Sequence, residues 1–189
     1  MYKSICIFAY LKIKIMKRVL IAAFIITITL PAFSQQEKVN WYSFEKAVEL
    51  NKKEPRKILV DVYTDWCGWC KKMKKNTFNH PEIAEYINEN FYPVRFDAET
   101  NKKVKFKGKT FRKDKNKSRR PHQLAIALLQ GKMSYPSVAY LDENNQLITA
   151  VPGYYGPKDM EPILYFFEED AYKEQSFEAY KENFSSSLE

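Results

Sequence analysis

A chain of 189 residues with 45% apolar and 15% aromatic content is long enough for one domain with its own core plus short extensions, and its composition excludes disorder of the whole. Three cysteines, Cys6, Cys67 and Cys70, are too few for a disulfide-stapled scaffold, so a close pair among them reads as working thiols. The formal net charge of +8 overstates any attraction to nucleic acid: residues 1–34 hold five basic residues and no acid, which leaves 26 Lys+Arg against 23 Asp+Glu, a net +3, in the remainder.

Met16-Lys17-Arg18 reads as the true start, so residues 1–15 are an over-extended reading frame and Cys6 carries no function. Lys17 and Arg18 precede an apolar run of 12 residues, Val19 to Leu30, that ends in Pro31-Ala32-Phe33-Ser34. A basic start, a short apolar core and small residues at 32 and 34 make 16–34 a secretory signal peptide. The run falls short of the roughly 20 residues that cross a bilayer; an uncleaved anchor is the alternative. The protein is therefore expected in the periplasm or secreted, and a lipid-anchored form is not indicated, since no cysteine sits just after the cleavage point.

Ser43 is the expected N-cap of a helix over 44–53, which Pro55 closes. Ile58-Leu59-Val60-Asp61-Val62-Tyr63 is a β-branched run of the kind that forms a buried strand. It leads into Asp65-Trp66-Cys67-Gly68-Trp69-Cys70-Lys71-Lys72 and a helix over 68–76. Two cysteines at i and i+3 share one side of a helical turn and can exchange between dithiol and disulfide. A thiol at a helix N-terminus meets unpaired N–H groups and the positive end of the dipole, and both favour the nucleophilic thiolate. Redox chemistry at Cys67 follows.

His80-Pro81 opens a further helix with Ile83, Tyr86 and Ile87 inward, and Phe91 to Phe96 is a second strand. Residues 104–111 alternate about Gly108 as a small hairpin. The stretch 100–120 holds 11 basic residues and one acid, whereas 121–189 holds four basic and eleven acidic. A solvated basic loop beside an acidic C-terminal region describes a dipolar protein with no nucleic-acid role. A helix over 122–131 ends at Gly131, and Pro136 opens a strand over 137–141. The turn at 142–145 leads to a strand over 146–151. Helical patterns cover 158–169 and 176–184.

These residues resemble the thioredoxin-like fold family, and in particular secreted bacterial thioredoxin-like thiol–disulfide oxidoreductases. The resemblance rests on Val60-Asp61-Val62, Trp66-Cys67-Gly68-x-Cys70-Lys71, Tyr135-Pro136-Ser137 and Gly153, and spans about 40–168 without 100–132. It implies an α/β fold with a mixed central sheet flanked by helices, a domain over 35–170, an insertion over about 100–132 before the cis-proline loop, and an acidic helical extension over 171–189. It further implies that Cys67 is the attacking thiol, Cys70 the resolving thiol and Asp61 the buried acid that exchanges a proton with Cys70. Pro136 matches the cis-proline against the disulfide, and Trp66, Gly68, Trp69 and Tyr135 join it in the substrate-binding surface. Protein disulfides or dithiols are the implied substrates and a membrane redox protein the implied partner, with no organic cofactor or metal.

Alternatives stand beside each assignment. Cys67 and Cys70 with His80 and His122 could form a zinc site or metal carrier, although their spacing fits no common zinc module. Asp61 could be a plain strand-end polar residue, Pro136 a turn proline, and Trp66 and Trp69 core aromatics. Otherwise His80 reads as a helix-start residue and His122 as a surface residue. A groove that binds partner proteins, with redox incidental, is the alternative function. Trp69 departs from the proline common between the cysteines of thioredoxin, which bears on substrate choice.

Overall fold

The computed structural model describes residues 38–114 and 121–188. The expected over-extended start, the signal peptide, Cys6 and part of the basic loop lie outside the described residues.

Helix α1 (Phe44–Lys53) begins where Ser43, in extended conformation, accepts the Lys46 N–H on its hydroxyl at 3.2 Å. It carries Glu45 in its first turn and Lys52 and Lys53 in its last, the signs that suit the helix dipole. Glu54 leaves the helical region, as the residue before a proline is pushed to do. Strand β1 (Lys57–Tyr63) follows, then α2 (Gly68–Asn76), α3 (Pro81–Asn90) and β2 (Phe91–Asp97). This crossover returns the chain parallel to β1, pairing Val60 with Val94 and Asp61 with Arg95.

A two-stranded hairpin comes next, β3 (Val104–Phe106) and β4 (Lys109–Phe111). Lys107 and Gly108 at its tip both have positive φ, 48° and 74°, the turn type that matches the twist of paired strands. After α4 (Gln123–Leu128), strand β5 (Ser137–Leu141) runs antiparallel to β1 and pairs with β6 (Leu147–Pro152). The four-stranded order is β2-β1-β5-β6. Edge position explains how β2 tolerates Pro93, which has no N–H to give a ladder; its carbonyl instead accepts the Tyr42 N–H at 2.9 Å.

The sheet separates two cores. Leu59, Val138 and Tyr140 face Met73 of α2, Ile83 and Ile87 of α3, and the residues Met160, Ile163 and Leu164 of α5 (Pro157–Glu168). Ile58, Val60, Val62, Val94 and Phe96 face the other way, against Phe44 and Ala47 of α1, Val104 of the hairpin and Leu124 and Leu128 of α4. Alternation along a strand produces this division directly.

Beyond α5, a short 3₁₀ turn (Ala171–Lys173) and α6 (Phe177–Glu182) fold back on the helix. Phe166 meets Phe177 and Tyr180 at ring distances of 5.4 and 5.3 Å. Leu188 is buried in the first core, and the buried Glu161 accepts both the N–H and the hydroxyl of Ser187, at 2.8 and 2.6 Å. Among the described residues no helix is long and apolar enough to cross a membrane.

Two local expectations change. The helix before β5 spans only 123–128, because Gln130 and Gly131 adopt positive φ of 51° and 78° and unwind the end expected to reach Gly131. His122 is fully buried and not a surface residue. Its Nδ1 accepts the Leu124 N–H at 3.1 Å as the cap of α4, and Nε2 lies 3.0 Å from the Lys102 carbonyl. Burial holds its pKa below the usual imidazole range, since a charged ring there would lose its hydration.

Candidate functional site

Cys67 is the N-cap residue of α2, extended at φ −73° and ψ 104°, and is joined to Cys70 by a disulfide with Cα atoms 5.3 Å apart. Its Sγ accepts the Cys70 N–H at 3.1 Å, and its own N–H is held by the Thr64 carbonyl at 3.2 Å. The sulfur thus occupies the position where a helix presents unsatisfied donors and its positive dipole end. Sequence reasoning placed only Cys67 at an exposed helix start. The residue exposures are 5% for Cys67 and 1% for Cys70, so accessibility separates the sulfurs weakly and the cap position is the larger difference between them.

Asp61 lies two residues beyond Leu59 and so shares the sheet face that α2 covers. It is buried, and its Oδ2 accepts from Arg95 Nε at 3.0 Å while Oδ1 has no hydrogen-bond partner. Burial pushes its pKa up from 3.8 to about 6, against the opposing pull of the Arg95 guanidinium and the weaker pull of Lys74 on α2. Arg95 in turn lies over Tyr63, its guanidinium carbon 4.0 Å from the ring centroid. A carboxyl that ionises near pH 6 can take up or release a proton in neutral solution.

The loops around the disulfide are tied by aromatic pairs. Trp66, 67% exposed, meets Tyr135 edge-on at 6.0 Å and donates its indole N–H to Glu99 at 3.1 Å. Trp69, 57% exposed, packs on Tyr154 at 5.2 Å, with Lys72 Nζ over both rings at 4.7 and 5.1 Å. The Tyr135–Pro136 peptide bond is cis and Pro136 is buried. Its carbonyl accepts the Gly153 N–H at 2.9 Å, and Gly153 has φ +110°, a conformation that side-chain-bearing residues rarely adopt. Gly68 faces open space, with no atom within 4 Å of where a Cβ would stand.

The structure therefore brings the cysteines, Trp66, Trp69, Tyr135 and Pro136 to one end of the sheet, with Asp61 inside it. Trp66 and Trp69 are surface aromatics rather than core ones. His80 and His122 do not join the cysteines, and among the described residues no cluster of three or more His, Cys, Asp and Glu could hold a metal ion. Sequence reasoning missed Arg95, Glu99 and Tyr154. Arg95 alone left a trace, as a lone cation inside the otherwise apolar Phe91–Phe96 strand.

This architecture, a β-α-β crossover whose first helix opens with Cys-x-x-Cys and an antiparallel hairpin entered through a cis-proline, is that of thioredoxin-like proteins. The thioredoxin-like domain family matches residues 44–168, more than half of the chain, and the chain belongs to that family. Among known proteins it is 31% identical over 67 residues to an uncharacterized protein of Archaeoglobus fulgidus, covering 35% of this chain and 53% of that protein. It is 37% identical over 62 residues to spermatogenesis-associated protein 20 of Rattus norvegicus, covering 32% of this chain and 8% of that one. A 50-residue match at 30% identity links it to the thiol:disulfide interchange protein DsbD of Photorhabdus laumondii, over 26% of this chain and 8% of the relative. The chain thus spans about half the length of the first of these relatives and a small part of the others. Two solved structures share the fold: a DsbH oxidoreductase, at TM-score 0.53 and 17% identity over 78% of this chain and 94% of that one, and a thioredoxin-fold protein from Helicobacter pylori, at 0.54 and 22% over 68% and 83%. A thioredoxin-like fold that holds the Cys67–Cys70 disulfide supports redox activity of the thiol–disulfide type.

The Asp61 environment predicts a pH signature. The unfolded chain releases this proton near 3.8 and the folded chain near 6. The stability tied to the protonated acid is therefore present in full below pH 3.8 and is lost as pH rises through 6. A shift of this size corresponds to about 3 kcal/mol as an upper figure. In urea unfolding of the oxidised protein, the stability of wild type relative to Asp61→Asn should fall by about 2–3 kcal/mol between pH 4 and pH 7. A difference that stays constant with pH would show that Asp61 keeps one charge state throughout.

Proposed function

We propose that the protein is an exported thiol–disulfide oxidoreductase that acts mainly as a reductase or isomerase of protein disulfides. The observation that carries the reading is the Cys67–Cys70 disulfide at the N-terminus of α2, over a sheet face that buries one carboxyl with a pKa of about 6. The partial match to a thiol:disulfide interchange protein supports the same class.

In the reducing direction the Cys67 thiolate attacks one sulfur of a substrate disulfide, forms a mixed disulfide and releases the other substrate sulfur as a thiolate. Asp61 carboxylate takes the Cys70 proton. The Cys70 thiolate then attacks Cys67 Sγ, which closes the Cys67–Cys70 disulfide and frees the second substrate thiolate. Two electrons pass to the substrate, and its two thiolates recover protons from Asp61 and solvent. Trp66, Gly68, Trp69, Tyr135 and Pro136 form the surface on which the substrate chain lies. A membrane electron donor returns the protein to the dithiol.

Mixed-disulfide trapping tests the asymmetry. Cys70→Ser should accumulate covalent complexes with substrate proteins and Cys67→Ser few or none; equal trapping by both would remove the mechanism.

Direction follows from the residues near the sulfurs. Gly68-Trp69 offers no side-chain cation to hold the dithiolate, and Lys71 and Lys72 are exposed and screened. Asp61, when ionised, opposes a second negative charge beside it. Equilibration with glutathione buffers should give a reduction potential nearer the roughly −270 mV of thioredoxin than the roughly −120 mV of a strong oxidant. A value above about −150 mV would make the protein a dithiol oxidase instead.

Export rests on the basic start at Lys17-Arg18 and the Ala32-x-Ser34 site. Intact mass of the protein recovered outside the cytoplasm should correspond to a chain beginning at or near Gln35. A mass that retains residues 16–34 would mean an anchored form.

A further inference from the structure

A pocket of about 320 Å³ opens behind the cysteine helix, on the flank away from Trp69. Its volume lies at the lower end of the roughly 300–1,000 Å³ of small-ligand pockets. Lys71, Lys74 and Lys75 line it; at i, i+3 and i+4 they share one face of α2. All three are exposed, and none of their side chains takes part in an ion pair or hydrogen bond within the described residues, although Lys74 acts on Asp61 through space. Lys72, one residue away, lies on the other side, over Trp69 and Tyr154.

Arg95 forms the floor from β2. It donates to Asp61 through Nε alone, so its two Nη amino groups remain as a planar pair of donors. The Tyr63 ring, 4.0 Å from the guanidinium carbon, packs against it. The fork suits a carboxylate or phosphate better than any other group, because two parallel N–H bonds meet two oxygens. Thr64 lines the same pocket while only 1% exposed, and its hydroxyl has no hydrogen-bond partner. That oxygen is sealed from solvent, so the donors that face the pocket are those of Arg95 and the lysines. Asn79 adds an amide at the rim. Asp65 is the one acid in the lining, so four cations face one carboxylate, with Asp61 behind Arg95.

From this arrangement we infer that the pocket is an oxyanion site, which takes a carboxylate or phosphate group on the forked Nη donors of Arg95 and the lysines of α2. The ligand is either a free small anion or an acidic side chain of a protein docked at the redox face. The site is separate from the disulfide and needs no thiol chemistry, so its failure leaves the redox reading intact and the reverse also holds.

The test is calorimetric titration of the oxidised protein at low ionic strength. Inorganic phosphate and succinate represent a free ligand, and a cysteine-free polyglutamate peptide represents a protein segment. Saturable binding of at least one of the three is expected. The Lys71→Ala/Lys74→Ala/Lys75→Ala variant, which alters only exposed side chains, should weaken that binding by about tenfold or more, whereas Lys72→Ala should leave it within about twofold. Circular dichroism confirms that each variant is folded. Absence of saturable binding by all three probes, or binding that the triple variant retains, overturns the site.

Discussion

Strand β1 is covered on both faces, yet it carries a carboxylate, and a charge placed there without a partner would be too costly to keep. The partner comes from the parallel register of β1 and β2, which sets Asp61 directly beside Arg95. A slip of one residue would turn Arg95 to the opposite face and leave Asp61 beside Val94 or Phe96. Register therefore decides the ionisation of this carboxyl. The crossover through α2 and α3, the edge position that tolerates Pro93 and the apolar alternation along both strands converge on that one pair. The pairing is also incomplete. Arg95 meets only one carboxylate oxygen, and burial outweighs it in setting a pKa of about 6. A fully paired acid would sit too low to hold a proton near neutral pH, and an unpaired one too high to give it up.

The same topology gathers the loops. β1 ends at Tyr63, and because β5 is antiparallel to it, the start of β5 falls beside that end, with Val62 opposite Ser137. Ser137 in turn faces Pro152 at the end of β6. The residues next outward from these three strand ends are the Cys67–Cys70 turn, Pro136 and Gly153. Sequence-distant motifs therefore meet without any long loop. The aromatic pairs Trp66–Tyr135 and Trp69–Tyr154 bridge the same three ends, so the exposed indoles stand in fixed positions beside the disulfide.

Features set by neighbours in sequence could be read directly. Ser43 with Glu45, Pro55, the β-branched run before the cysteines, Pro81 at a helix start and Gly108 between alternating residues each act within a few positions, and the elements they define stand where expected. What could not be read depends on partners far along the chain. His122 looks like a surface residue because polar and basic residues surround it in sequence; only the folding of α4 against the sheet buries it and gives its ring two backbone partners. Arg95 acquires meaning only once the strand register is known. The low exposure of both Cys67 and Cys70, beside loops that Trp66–Tyr135 and Trp69–Tyr154 tie together, likewise depends on residues far apart in sequence.

The segment over 100–132 resembles an addition to the family pattern, yet its apolar residues are structural. Phe106 meets Phe44 edge-on at 5.0 Å, and Val104, Leu124 and Leu128 cover the sheet face formed by Val60 and Val62. Removing it would strip one face of the central strand, so its basic residues are carried on a necessary scaffold rather than on a free loop. Its link to the redox end is short. Glu99, just before the segment, holds the indole of Trp66, and Lys113 from within it reaches the Glu99 carbonyl at 3.4 Å. A displacement of the hairpin stem would thus be felt at Trp66 before it reached the sulfurs; under the proposed function, that would tie substrate preference to this segment through aromatic position while the chemistry of the Cys67–Cys70 pair stays with α2 and the sheet.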